Sequence, residues 1–115
     1  MTQKQKILFV CTINRMRSAT AQVIYEQDDR FEVKSAGTDK SARVVVDREL
    51  LEWADAVVVM EKYHRNKIRA KFPDLYSSKK IVCLYIEDLY DFMDATLIEL
   101  LTAKFEDIYR RGLLS

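Results

Sequence analysis

A thiol, a guanidinium and a hydroxyl fall close together in the run Cys11-Thr12-Ile13-Asn14-Arg15-Met16-Arg17-Ser18. The chemistry that this set suits is attack on a phosphate ester. Such an ester is a dianion at neutral pH, so it needs a nucleophile that coexists with negative charge and donors that hold the three outer oxygens. A backbone turning into a helix supplies unpaired N–H groups and positive potential. The amides from Thr12, Ile13, Asn14, Arg15, Met16, Arg17 and Ser18 are expected to ring the phosphoryl group, as backbone nests do. Arg17 can grip two oxygens at once, a geometry lysine does not offer. The same positive surroundings favour a thiolate at Cys11. Ser18 is placed to donate to that sulfur. Asn14 has a side chain suited to bracing the loop, with Ser35 as its expected partner.

The leaving oxygen needs a proton, and general acids contribute typically ~10²–10⁴-fold to such reactions. Acidic residues gather at Glu87-Asp88, with Asp91 and Asp94 beyond. Asp88 is the first choice, since it follows the last apolar strand by two residues. Asp94 stays open as the alternative, as does a plain capping role.

These residues need elements to position them. Lys6–Cys11 is a near-continuous apolar run, the pattern of a central parallel strand. Further strands are predicted over Phe31–Lys34, Ala56–Met60 and Ile81–Ile86. Helices are predicted over Arg17–Gln27, Asp47–Trp53 with Asp47 as N-cap, Lys62–Phe72 ending at Pro73, and Ala95–Arg110 with its stripe of Leu97, Leu100, Leu101, Phe105 and Ile108. Alternating strands and helices imply an α/β fold: one three-layer domain over residues 1–115, with a four-stranded parallel sheet flanked by helices and the phosphate loop after the first strand. Ligands in such sheets collect at the carboxyl ends of the strands, where Cys11, Ser35 and the segment after Ile86 converge.

The 115 residues are 49% hydrophobic and 32% charged, an ordinary balance for one folded core. A net charge of +1 gives no general pull toward nucleic acid or anionic membrane. Two cysteines and one histidine make neither a disulfide framework nor a zinc set. The first apolar stretch is too short for a signal-peptide core or a membrane span, so a reducing cytoplasm is the expected location. Other readings apply to single residues. A cysteine that closes an apolar strand is, taken alone, most often a buried small hydrophobe. For Cys11 the arginine and serine that follow reverse that reading, whereas Cys83 is expected mid-strand in the core. His64, in phase with Ile68 and Phe72, reads as a packing or surface histidine. Trp53 reads as core, and the charged run Glu61–Lys71 as a solvated helix face.

With these residues in view the chain resembles the low-molecular-weight protein tyrosine phosphatases, most closely a short bacterial branch. Cys11 through Arg17-Ser18 resembles the family's phosphate-binding loop, and Asn14 falls at its asparagine. Ser35-Ala36-Gly37-Thr38 is similar to the family's Ser-Ala-Gly-Thr strand end. Trp53–Glu61 resembles its Ala-Asp segment, apolar strand and Met-acid ending, and Ile86–Tyr90 its Asp-Pro-Tyr region. The resemblance implies catalysis without metal or organic cofactor, and a two-step reaction. In it Cys11 attacks phosphorus, Asp88 protonates the leaving group, and water then hydrolyses a phosphocysteine with Arg17 and the loop amides in support. It implies a phosphotyrosine protein or small phosphate ester as partner, with Tyr90 as one wall of the slot. The chain departs from the family pattern at Ile13 (glycine), Met16 (often a second cysteine), Ala19 (proline) and Leu89 (proline). It also has a shorter stretch between Gly37 and Asp55, which implies a more open site. Two further functions fit the same frame: an arsenate reductase, for which Cys83 alone could resolve the adduct, and a non-catalytic phosphate- or phosphoprotein-binding module.

Overall fold

The computed structural model describes residues 3–115; Met1 and Thr2 lie outside the described residues. Four strands, β1 (Gln5–Cys11), β2 (Phe31–Gly37), β3 (Ala56–Val59) and β4 (Lys80–Cys83), form one all-parallel sheet in the order β2-β1-β3-β4. Five helices connect or follow them: α1 (Arg17–Tyr25), α2 (Arg48–Trp53), α3 (Lys62–Lys71), α4 (Pro73–Ser78) and α5 (Ala95–Arg110).

β1 is apolar throughout because both of its faces are covered, which is the rule for a central parallel strand. Alternate residues serve opposite layers. Ile7, Phe9 and Cys11 pack with Ala21 and Tyr25 of α1 and with Leu97, Leu101, Phe105 and Ile108 of α5. Leu8 and Val10 pack with Leu51, Ile68 and Leu75 from α2, α3 and α4. Rings fill the first layer, where Tyr25 and Phe105 have centroids 4.5 Å apart and Phe31 meets Phe105 edge-on at 5.3 Å. The α1 crossover lies on one face and α2 on the other. Strand order therefore reverses on either side of β1, and the crevice this opens lies at the end of Cys11.

Short-range chemistry sets the element ends. Asp47 caps α2 by accepting from the Leu50 N–H at 2.8 Å. Asp94 caps α5 by accepting from the N–H groups of Thr96 and Leu97. Asp55 joins the start of β3 to β1, its carboxylate accepting from the Lys6 N–H and its own N–H donating to the Lys6 carbonyl.

Four features differ from the sequence reading. Pro73 ends α3 as expected but also opens α4, since a proline at the first helical position loses no hydrogen bond. β2 runs on to Gly37, because its last three residues are buried beside β1. β4 stops at Cys83 rather than Ile86. Tyr85 turns left-handed (φ 56°) while Leu84 and Ile86 still donate to the Val59 and Met60 carbonyls, so Tyr85 bulges into solvent. Cys83 is consequently the half-buried last residue of its strand, not a mid-strand core group. Trp53 is half-buried at the rim of the second core, with the Lys34 ammonium 4.5 Å from its ring centre.

Gly37 is the tightest point of the sheet's upper edge. A Cβ there would collide with the Thr12 carbonyl oxygen and stand 2.7 Å from Ala42 Cβ, both on segments that cannot swing aside cheaply. Gly37→Ala is expected to destabilise the fold by about 1–3 kcal/mol, the usual cost of overpacking. Urea denaturation of the variant beside the wild type measures it.

Candidate active site

The loop from Cys11 to Met16 is built by turning its carbonyls outward. The Cys11, Thr12 and Ile13 carbonyls accept from the N–H groups of Thr38, Asp39 and Arg43, each at 3.0 Å, and Arg43 Nε donates to the Asn14 carbonyl. Across a trans peptide the N–H opposes the carbonyl, so with these four oxygens held on that side the N–H groups of Thr12, Ile13, Asn14 and Arg15 face the other way. None of them donates to an acceptor among the described residues. Asn14 makes the reversal by adopting a left-handed backbone (φ 58°), which asparagine tolerates better than most residues. α1 then begins at Arg17 with no side-chain cap and no acidic residue in its first turn, so its N-terminal potential is uncompensated.

The side chains interlock beneath this ring of amides. Cys11 Sγ lies 2.9 Å from Ser18 Oγ. Asn14 Nδ2 donates to the same Ser18 oxygen at 2.8 Å. Having accepted from Asn14, the Ser18 hydroxyl keeps its own hydrogen for one of two acceptors, the Ala36 carbonyl at 3.4 Å or the sulfur at 2.9 Å, and a thiolate is the nearer and the more strongly accepting of the two. Asn14 is therefore braced by Ser18 and not by Ser35, whose hydroxyl bonds Gln22 of α1 instead. That exchange corrects the expected Asn14–Ser35 pair: β2 places Ser35 at its buried end, where the α1 side chain reaches it first.

Arg17 is 2% exposed. Nη1 donates to the Ile86 carbonyl at 2.7 Å and pairs with Glu61 Oε1 at 3.0 Å. The opposite edge of the guanidinium, carrying Nε–H and one Nη2–H, has only long contacts. Asp88 Oδ1 lies 3.8 Å from Nε, and Thr12 Oγ1 lies 3.4 Å from Nη2. One edge is thus spent on holding the side chain, and the other is a two-donor fork between Thr12 of the loop and Asp88.

Of the two candidate acids, Asp88 stands at this fork with its carboxyl 65% exposed. Asp94 is occupied in capping α5. Tyr90 is half-buried against the first core, so any wall it forms is the face which that packing leaves open. Leu89 and Phe92 are exposed on the same segment. Arg15 is exposed at the crest of the loop, and Ile13 and Met16 are partly exposed beside it.

His64 belongs to this cluster, contrary to its reading as an incidental packing residue. It is fully buried. Nδ1 accepts from the Glu61 N–H at 3.0 Å, completing a capping box at the start of α3, and Nε2 lies 2.9 Å from Thr12 Oγ1. Burial, together with the Arg17 charge, pushes its pKa down to about 4. The Met60-Glu61 strand end three residues upstream was the available signal, since a side chain at that helical position reaches back over the sheet edge.

No family model matches the sequence, and no curated protein matches it. Solved structures do. The YwlE arginine phosphatase from Geobacillus stearothermophilus superposes with a TM-score of 0.66 at 23% identity, over 95% of this chain and 96% of that one. A low molecular weight protein tyrosine phosphatase from Streptococcus pyogenes gives 0.73 at 14% identity, over 93% and 92%. The tyrosine phosphatase Wzb from Escherichia coli, solved with phosphate, gives 0.73 at 18% identity, over 95% and 99%. The chain has the fold of the low molecular weight protein tyrosine phosphatases over nearly its whole length.

The depressed His64 pKa has a definite sign in stability. Between its folded value of about 4 and the ordinary value of ~6.5, the unfolded chain takes up a proton that the native chain refuses. Stability therefore falls as pH drops through that window and levels off below it. His64→Asn removes the titration while keeping an acceptor at the Nδ1 position. Measured by denaturant unfolding, the stability of wild type relative to this variant should fall from pH 7 to pH 4, whatever the difference at pH 7.

Proposed function

We propose that this chain is a cysteine-dependent phosphomonoesterase that hydrolyses phosphotyrosine or a related aryl phosphate, with residues 1–115 forming one domain of the phosphatase type. The observation that carries this reading is the ring of unspent loop amides around Cys11, closed by the open edge of Arg17. Donors fixed in advance toward a charge that grows in the transition state are the largest single source of rate in many enzymes.

In the first step the Cys11 thiolate attacks phosphorus from within the ring. The S–P bond forms, the ester P–O bond breaks, and the departing oxygen takes the proton of Asp88. The outer oxygens lie on the loop amides and the Arg17 fork. Ser18 steadies the thiolate before attack, and Asn14 holds Ser18. In the second step water attacks the phosphocysteine, Asp88 takes its proton, the P–S bond breaks and inorganic phosphate leaves. Nothing in the sequence requires a metal or organic cofactor. The partner is a phosphoprotein or a small phosphate ester. Among the described residues no helix is long and apolar enough to cross a membrane. A working thiol fits best in a reducing compartment, so we place the enzyme in the cytoplasm.

Two alternatives fare less well. An arsenate reductase would need Cys83 to resolve an adduct on Cys11. The two lie on strands separated by β3, roughly 10 Å apart at two strand spacings, beyond the Cα separation a disulfide spans. A purely phosphate-binding module would leave Asp88 at the Arg17 fork without a task.

Turnover of phenyl phosphate and p-nitrophenyl phosphate tests the reading, alongside free phosphoarginine as a competitor class. Cys11→Ser should abolish turnover, and Arg17→Lys should lower it at least about a hundredfold by removing the fork. Asp88→Asn should lose about 10²–10⁴-fold with phenyl phosphate, less with the better p-nitrophenolate leaving group, together with the limb of the pH profile that falls as the donor ionises. Asp94→Asn should leave that limb intact. Phosphate binding with no trapped phosphocysteine would overturn the enzyme reading.

A further inference from the structure

The Thr12 hydroxyl has a hydrogen with no destination in the protein. The backbone N–H of Glu61 can only donate, so His64 Nδ1, 3.0 Å away, accepts and carries no proton. Burial beside the Arg17 charge keeps the ring neutral, so its one proton sits on Nε2. At 2.9 Å, that Nε2–H donates to Thr12 Oγ1. Arg17 Nη2 also points a donor at the same oxygen from 3.4 Å. The Nε2–H takes one lone pair and the guanidinium lies beside the other, so the hydroxyl's own hydrogen is directed away from both donors and toward an acceptor. No group among the described residues takes it. The residue directly follows the nucleophile, and its oxygen stands beside the open edge of the Arg17 fork.

We propose that the Thr12 hydroxyl donates to an outer oxygen of the phosphoryl group seated at Arg17, and that His64 is the positioning residue that turns this hydroxyl toward it. The inference rests on reading the loop as a phosphoryl cup and adds a side-chain donor to a cup otherwise made of backbone amides and one guanidinium. It separates two duties of a single imidazole. Nδ1 caps α3, which any buried acceptor at that position could do. Nε2–H fixes the polarity of Thr12, which only a donor there can do. A histidine protonated on Nδ1 would reverse that polarity and direct the hydroxyl hydrogen back at the ring.

Isosteres split the two duties. Asn at position 64 places an acceptor where Nδ1 stands and nothing where Nε2 stands. Gln places an amide nitrogen near Nε2 and sacrifices the cap. The measurements are affinity for inorganic phosphate, kcat/KM for p-nitrophenyl phosphate, and melting temperature. Thr12→Val should lower phosphate affinity and kcat/KM about ten- to a hundredfold, the worth of one hydrogen bond to a charged group, while Thr12→Ser stays within a few-fold of wild type. His64→Asn should lose activity comparably with its melting temperature little changed. His64→Gln should recover activity relative to His64→Asn in spite of a lower melting temperature. Thr12→Val combined with His64→Asn should be no worse than Thr12→Val alone. The proposal is overturned if Thr12→Val matches wild type, or if activity across the His64 variants simply follows melting temperature. A wild type that binds phosphate without turnover, yet shows this ordering in affinity, upholds the inference and sinks the phosphatase reading. Turnover with no effect of Thr12→Val does the reverse, and a wild type that neither binds nor turns over sinks both.

Discussion

A guanidinium does not give up its charge at any pH a protein experiences, so an arginine can be buried only where the surroundings pair it on several sides. Arg17 meets that condition with partners from three separate parts of the chain. The Ile86 carbonyl comes from the segment after β4, Glu61 from the junction of β3 and α3, and Thr12 from the loop after β1. Each of those groups sits at the carboxyl edge of the sheet. The first residue of α1 therefore fixes how the loop, the third helix and the acidic segment stand relative to one another. Its burial also has a chemical consequence: with Nη1 consumed by anchoring, the remaining donors form one side-on edge with a defined direction.

The loop solves a complementary problem. Backbone carbonyls near an anion would repel it, and four successive amides cannot face one side unless their oxygens are held on the other. The segment from Thr38 to Arg43 holds them, by donating to four consecutive carbonyls. That segment can approach only because Gly37 has no side chain to keep it away from Thr12 and Ala42. The left-handed Asn14 and the bare Gly37 are thus two halves of one device. Local backbone geometry that is costly or permissive in isolation is here over-determined by hydrogen bonds on the far side. A family pattern with glycine in place of Ile13 is not needed for the turn, because residue 14 and not residue 13 adopts the positive φ.

Much of this architecture could be read from the chain itself, and the reasons are local. The unbroken run Ile7–Val10 marks a strand covered on both faces, Asp47 and the Ala95–Arg110 stripe mark helices, and the turn at Ser35-Ala36-Gly37 marks a strand end. What could not be read depends on partners distant in sequence or on a residue with two uses. Pro73 both stops one helix and starts the next. The strand after Lys80 keeps its apolar composition to Ile86, but Tyr85 adopts a backbone that composition does not announce. Strand topology points to Ser35 as the partner of Asn14, but Gln22, on the adjoining helix face, takes its hydroxyl and Asn14 bonds Ser18. His64 is in phase with Ile68 and Phe72, which fits packing. Its partnership with Thr12 spans 52 residues and leaves no trace in helical periodicity. Spacing alone does not separate Asp88 from Asp94; the contact of Asp88 with Arg17 and the capping bonds of Asp94 both depend on the fold.

Leu89 stands where the phosphatases that the sequence resembles have proline, so the acidic segment is held in another way. A proline after an aspartate stiffens the backbone by fixing its own φ and restricting the residue before it. Here that stiffness is replaced by two clamps, one on either side. Ile86 is fixed through its carbonyl to Arg17 and through its N–H to Met60. At the other end the Met93 N–H donates to the fully buried Thr20 hydroxyl of α1 at 2.9 Å. Both clamps end on the helix whose N-terminus closes the loop, so the span between them is tied to α1 on either side. Asp88 lies two residues from the first clamp, on the side facing the guanidinium. Such a tether holds Asp88 beside Arg17 while its side chain stays open to water. Leu89 and Phe92, exposed between the clamps, carry neither anchor.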